Sequence, residues 1–146
     1  MIKILKVGKV KRAELTSLSN YYLKQIPRKV EVITIKDESV ETKKHLEAKN
    51  ILKHIKDTDY VITLEIKGKQ ISSEELALKL ENLETSSKEI VFVIGGSFGL
   101  DEEVIKRSDF ALSFSNFTFP HQLMFLILTE QIFRAYSIVN NKQYHK

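Results

Sequence analysis

Cysteine is absent from the 146 residues. Its absence excludes disulfides and thiolate metal sites and removes redox usage as a guide to compartment. Long apolar runs are missing as well, and nothing approaches the ~20 residues that a membrane span needs. The first apolar run holds Lys3 and Lys6, which argues against a signal peptide and makes a soluble, cytoplasmic protein the default expectation. The four histidines (45, 54, 121 and 145) lack metal-ligand spacing, so no metal is expected. Gly95-Gly96-Ser97-Phe98-Gly99 is out of register with a dinucleotide fingerprint, and neither Gly8-Lys9 nor Gly68-Lys69 is followed by the Ser or Thr of a phosphate loop. No G-x-S-x-G supports a nucleophilic triad. With no linker, repeat or low-complexity segment, residues 1–146 read as a single domain long enough to bury a proper core.

Charge is present and unevenly spread. The formal net charge is +4, yet residues 1–30 carry Lys3, Lys6, Lys9, Lys11, Arg12, Lys24, Arg28 and Lys29 against Glu14 alone. That segment is a net +7 and the remainder a net −3. Such clustering is either an electrostatic footprint for a polyanion or a lysine-rich solvated face.

The chain alternates strand and helix. Ile2–Val7 reads as a strand with Gly8 as its turn. Leu15, Leu18, Tyr22 and Ile26 fall at helical spacing over Ala13–Gln25, and Pro27 stops that helix. Val30–Ile35 is a β-branched second strand. Ala48, Ile51, Leu52 and Ile55 mark one face of a charged helix between Ser39 and Lys56. Tyr60–Ile66 is the third strand, and Ser72-x-x-Glu75 is a capping-box pattern ahead of a helix through Leu83. Ile90–Ile94, a short helix over Asp101–Arg107, a strand over Phe110–Ser115 and a last helix over His121–Val139 complete the order. This alternation predicts an α/β fold, a mainly parallel sheet with helices on both faces.

The segment from Ile90 to Val139 holds the candidate site. Two short apolar strands each end in a loop, Gly95–Gly99 and Asn116–Phe119, beside a helix whose Leu123–Leu128 are apolar all round. That is the layout of a ligand crevice at the strand ends of an α/β sheet. A helix wetted on so few sides needs something docked on it. Glu130 and Arg134 stand four residues apart on this helix, where a surface ion pair contributes ~0.3–0.5 kcal/mol. The tail after Asn140 is of a length that normally frays.

Six motifs in order then resemble one family. They are Val61–Ile66 with Gly68-Lys69; Phe92–Ser97 with Gly99-Leu100; Ala111–Ser115; Thr118–Gln122; Glu130-Gln131 with Arg134-Ala135; and Tyr144-His145-Lys146, besides the opening Val7-Gly8-Lys9. Together they are similar to the RlmH family of SPOUT-class (α/β-knot) methyltransferases acting on large-subunit ribosomal RNA, over essentially the whole chain. The resemblance implies a C-terminal deep trefoil knot, a rare exception to unthreaded connections, and a homodimer packed through the last helix. It also implies transfer of a methyl group from S-adenosyl-L-methionine to N3 of a pseudouridine in helix 69 of 23S rRNA, on the ribosome.

Carried over by position, the cofactor would be held by Leu64, Gly95 and the loop Phe114, Ser115, Asn116, Phe117, Thr118 and Phe119. His121, Glu130, Arg134, Tyr144 and His145 are the implied catalytic set, and Lys9, Lys11, Arg12 and Lys146 the implied RNA contacts. Tyrosine can stack on a base, histidine can exchange a proton near neutral pH, and lysine can meet a phosphate. His121 and Glu130 are separated by nine residues, ~13.5 Å of helix rise on opposite sides, so no dyad forms within one chain. A composite site completed by a second subunit's tail is expected instead. Three departures stand out: a short connection at Asp37–Lys44, Phe125 where relatives tend to have Arg, and Phe133 where they tend to have Tyr. The loss of the Arg leaves a non-catalytic RNA- or ribosome-binding protein as the alternative reading.

Overall fold

Five strands form one sheet in the order β2-β1-β4-β3-β5, and every ladder is parallel. They are β1 (Ile2–Val7), β2 (Val30–Ile35), β3 (Tyr60–Gln70), β4 (Ile90–Ile94) and β5 (Phe110–Ser113) in a computed structural model that describes residues 1–38 and 40–146. All five residues of β4 are buried, with Ile90, Phe92 and Ile94 in one core and Val91 and Val93 in another. A strand covered on both faces loses its polar alternation, which is why this segment reads as a plain apolar run.

Helices α1 (Ala13–Gln25), α3 (Ser73–Thr85) and α5 (His121–Val139) cover the first face. Their core contributions include Leu80, Leu128 and Ile132, each fully buried and worth ~1.5–3 kcal/mol relative to exposure. Helices α2 (Lys44–Leu52) and α4 (Glu102–Arg107) cover the second face through Ala48, Ile51 and Val104. Glu84 on α3 bolts the first layer together. Its carboxylate accepts from Arg28 Nε at 2.7 Å and from the buried Tyr136 hydroxyl of α5 at 2.9 Å.

Local signals set most boundaries. The capping box forms, with Ser72 Oγ accepting from the Glu75 N–H at 3.0 Å and Glu75 Oε1 from the Ser72 N–H at 3.1 Å. Asp101 caps α4 instead of joining it, its Oδ2 accepting from the Glu103 N–H at 3.2 Å. The helix expected between Ser39 and Lys56 is shorter: a 3-10 turn over Glu41–Lys43 and then α2. Ser39 lies outside the described residues. Beyond α2 the Asp59 carboxylate accepts from the Lys56 N–H at 2.7 Å and closes the turn that leads into β3.

β3 runs past its expected end at Ile66. It pairs with β5 at Ile62–Leu64, shifts register, and pairs again at Lys69 and Gln70, so residues 65–68 bulge outward. Gly68 makes this possible, since a Cβ there would lie 2.7 Å from the Ala111 carbonyl oxygen.

Candidate active site

The carboxyl ends of β3, β4 and β5 open into a crevice of about 740 Å³, inside the ~300–1,000 Å³ range of small-molecule sites. Each strand delivers one wall. β3 contributes Leu64 and the bulged Glu65, Ile66 and Lys67; β4 contributes Ile94 and the turn from Gly95 to Leu100; β5 contributes Ser113 and the loop up to Pro120. His121 and Met124 of α5 close the end.

The β4 turn folds tightly on itself. Gly99, at φ +74°, donates its N–H to the Gly96 carbonyl at 3.1 Å. A Cβ on Gly95 would sit 3.0 Å from both the Gly99 carbonyl carbon and Leu100 Cδ2, so this glycine lets the turn close against the strand end. The β5 loop is braced through its hydroxyls: Ser113 Oγ donates to the Ser115 carbonyl and Ser115 Oγ accepts from the Phe117 N–H, both at 3.0 Å. Leu64, Gly95, Phe114, Ser115, Phe117, Thr118 and Phe119 all line the crevice. Asn116 turns aside, its Oδ1 accepting from Gln70 Nε2 at 2.9 Å. Phe117 is 77 % exposed at the rim.

The basic N-terminal loop borders the same crevice. Gly8 (φ +85°) turns beneath His121, whose Nε2 would lie 3.2 Å from a Cβ at that position. The Lys11 N–H donates to Gln122 Oε1 at 2.7 Å, tying the β1–α1 loop to the start of α5. Lys9, Lys11 and Arg12 are exposed along that loop.

Glu130, Arg134, Tyr144 and His145 gather elsewhere, at the C-terminal half of α5 and outside this chain's crevice wall. Glu130 Oε1 accepts from Arg134 Nη2 at 2.6 Å, Arg134 Nε at 2.9 Å and the Tyr144 hydroxyl at 2.9 Å, while Oε2 accepts from Gln131 Nε2 at 2.8 Å. His145 bridges Arg134 Nη1 and Glu74 Oε1, 3.0 Å from each. The Tyr144 ring meets Phe133 edge-on at 4.5 Å between centroids. The tail is therefore docked rather than frayed. Burial first, then hydrogen bonds with Tyr22 and Glu130, hold the Tyr144 phenol above its usual range, so it remains a proton donor. Lys146 is exposed beyond it.

Several members of these groups escaped the sequence reading. Glu65 and Lys67 enter the crevice only because β3 bulges, and Glu74 meets His145 across 71 residues of chain. No local pattern encodes either. Phe125 is buried with its ring under the Lys6 ammonium, 5.3 Å from nitrogen to centroid. Phe133 packs between Tyr22 and Tyr144. Among the described residues no group of three His, Asp or Glu could hold a metal, and no helix is long and apolar enough to cross a membrane.

The family model described as "Predicted SPOUT methyltransferase" matches residues 1–145. The ribosomal RNA large subunit methyltransferase H of Acholeplasma laidlawii is 49% identical over 146 residues, and that of Finegoldia magna 48% over 157 residues. Each alignment covers 99% of both chains. A solved methylase-family protein of Haemophilus influenzae superposes with a TM-score of 0.58 at 16% identity, covering 98% of this chain and 67% of that one, a likeness of fold alone. The parallel sheet, its crevice at the strand ends and these relatives agree with the motifs: the chain belongs to the SPOUT methyltransferases, in the ribosomal RNA large subunit methyltransferase H family.

Proposed function

We propose that this methyltransferase uses S-adenosyl-L-methionine to methylate N3 of a pseudouridine in helix 69 of 23S rRNA on the assembled ribosome. It would act in the cytoplasm as a homodimer with the C-terminal segment threaded as a trefoil knot. The observation that carries the reading is the crevice. Its walls at Leu64, Ile94, Leu100, Phe114 and Phe119 are apolar, as an adenine ring requires, and glycines on one side let backbone approach closely.

The cofactor supplies a methyl group already activated on a sulfonium, so the chain must bind, orient and take up one proton. Leu64, Phe114 and Phe119 would sandwich the adenosyl group, with Ser115, Thr118 and the Gly95 backbone as polar partners. Holding the acceptor nitrogen in line with the methyl carbon lowers the barrier by several kcal/mol, up to ~7–11 in the best-aligned cases. Of the implied catalytic set only His121 lies in this chain's own crevice. Glu130, Arg134, Tyr144 and His145 would reach a crevice from the partner subunit, which is the reason to propose a dimer. Within their cluster Arg134 and Tyr144 are donors, and the carboxylate of Glu130 is the acceptor that positions them.

Incubation of free RNA, isolated large subunits and whole ribosomes with labelled cofactor tests the reading, with the modified base identified by mass. Label on that pseudouridine in ribosomes, and little in free RNA, is the expected result. Label on another base overturns the assignment.

A further inference from the structure

A second cavity, of about 380 Å³, opens between β1, β2, α1 and the buried Phe125 of α5. Val10, Leu23, Val32 and Phe125 make one side apolar. The other side carries Lys6, Lys9 and hydrogen-bonding groups, and none of the lining residues is acidic. Two of its polar side chains are buried without full satisfaction. Ser19 is 1% exposed and its Oγ has no hydrogen-bond partner among the described residues. Lys6 is 8% exposed, and its Nζ donates to the Gly8 carbonyl at 3.1 Å and faces the Phe125 ring, which leaves N–H capacity to spare.

A buried ammonium and a buried lone hydroxyl both cost stability in a free protein. Burial indeed holds the Lys6 ammonium below its ordinary pKa. A ligand that accepts several hydrogen bonds and carries negative charge would offset both costs at once. Asn20 and Thr16, exposed at the mouth, offer further donors. Lys9 belongs both to this cavity and to the loop that turns beneath His121 at the crevice, which links the two sites through one basic loop.

We propose that this cavity seats one phosphate group of the RNA substrate, with Lys6 as its charge partner and Ser19 and Asn20 as its hydrogen-bond partners. The inference rests on RNA being the substrate, as proposed above. Phosphate is favoured over an acidic side chain of a second copy because its several oxygens match the separate donors of Lys6, Ser19 and Asn20, and both lining lysines belong to the +7 N-terminal segment.

Lys6→Met and Ser19→Ala keep the volume nearly constant and separate binding from folding. Binding of large-subunit RNA, followed by salt titration, needs no turnover. A parent protein that binds RNA without methylating it therefore refutes the proposed reaction while the cavity is still tested. For Lys6→Met the expected result is a ~10-fold or greater loss of RNA affinity, a salt slope shallower by about 1, and a melting temperature no lower than the parent's. In methyl transfer to large subunits, the loss should appear in KM with kcat held within about twofold. Ser19→Ala should weaken RNA binding by ~10-fold or more, the loss of one hydrogen bond to a charged group, without loss of thermal stability. Unchanged RNA affinity and salt slope in both variants overturn the proposal. So does a Lys6→Met variant whose sedimentation shifts while its RNA affinity holds, since the occupant is then a second copy. Thermal stabilisation of the parent by inorganic phosphate, lost in Lys6→Met with RNA binding intact, overturns it also, as a free-phosphate site only.

Discussion

Arg134 Nη1 lies 3.0 Å from Nδ1 of His145. A guanidinium only donates, so this contact fixes Nδ1 as the acceptor and puts the ring proton on Nε2, which donates to Glu74. The lone pair of His145 that a substrate proton would need is thus occupied by Arg134 in the docked tail. For His145 to accept a proton, Arg134 has to let go of it first.

Deletion of residues 144–146 is expected to leave cofactor affinity and dimerisation nearly unchanged while methyl transfer falls by ~100-fold or more, the scale of a lost acid or base group. The Glu130–Arg134 pair survives the truncation because it lies wholly within α5. Calorimetry and a transfer assay on the same preparation check both halves. Full activity in the truncated chain would show that Tyr144 and His145 serve only to pack the tail.

Gly95→Val is expected to abolish cofactor binding with the sheet intact. The structure gives the cause: the new side chain presses on Gly99 and Leu100 and displaces the turn that forms one wall of the crevice. Even Gly95→Ala should weaken binding, since Leu100 can turn its side chain aside but the Gly99 backbone, also 3.0 Å away, has to shift. Titration calorimetry with unchanged affinity in either variant removes Gly95 from the site.

Leu123, Leu126 and Ile127 remain half-exposed in the single chain although the helix is apolar around them. Sedimentation at micromolar concentration is expected to show a dimer, and Leu126→Asp to shift it to monomer with the circular dichroism of the fold retained. A parent protein that sediments as a stable monomer contradicts the packing.

Glu84 carries a pH prediction. Burial opposes its ionisation, but hydrogen bonds from Arg28 and Tyr136 outweigh it and hold the carboxyl below its ordinary range. A depressed carboxylate stabilises the fold above the unfolded value, ~4.3, and loses that contribution as pH falls through the folded value. Glu84→Gln should therefore cost ~1–3 kcal/mol at pH 7, and the gap to the parent should close in denaturant titrations below about pH 4. A gap independent of pH would assign the effect to packing.

What the sequence settled is what depends on near neighbours in the chain. The spans Ile2–Val7, Ala13–Gln25, Ile90–Ile94 and His121–Val139 agree with the structure because side-chain period, Pro27, Pro120 and the glycines act over a few residues. The family motifs are local in the same sense, and they carried the methyltransferase assignment. Strand order, by contrast, is a choice among distant pairings: the chain leaving β4 crosses β3 to set β5 at the sheet edge, and only the folded sheet records it. The bulge at residues 65–68 follows from that choice, because β3 must meet β5 twice in different registers. Lys6 looked like one more cation of a basic patch, yet its position on the inner face of β1 buries it in a cavity. His145 looked like a loose end, and the fold gave it partners 11 and 71 residues away. Chain periodicity is short-ranged, whereas the meeting of distant side chains is decided by which faces of the sheet and helices come together, and that is a property of the tertiary structure alone.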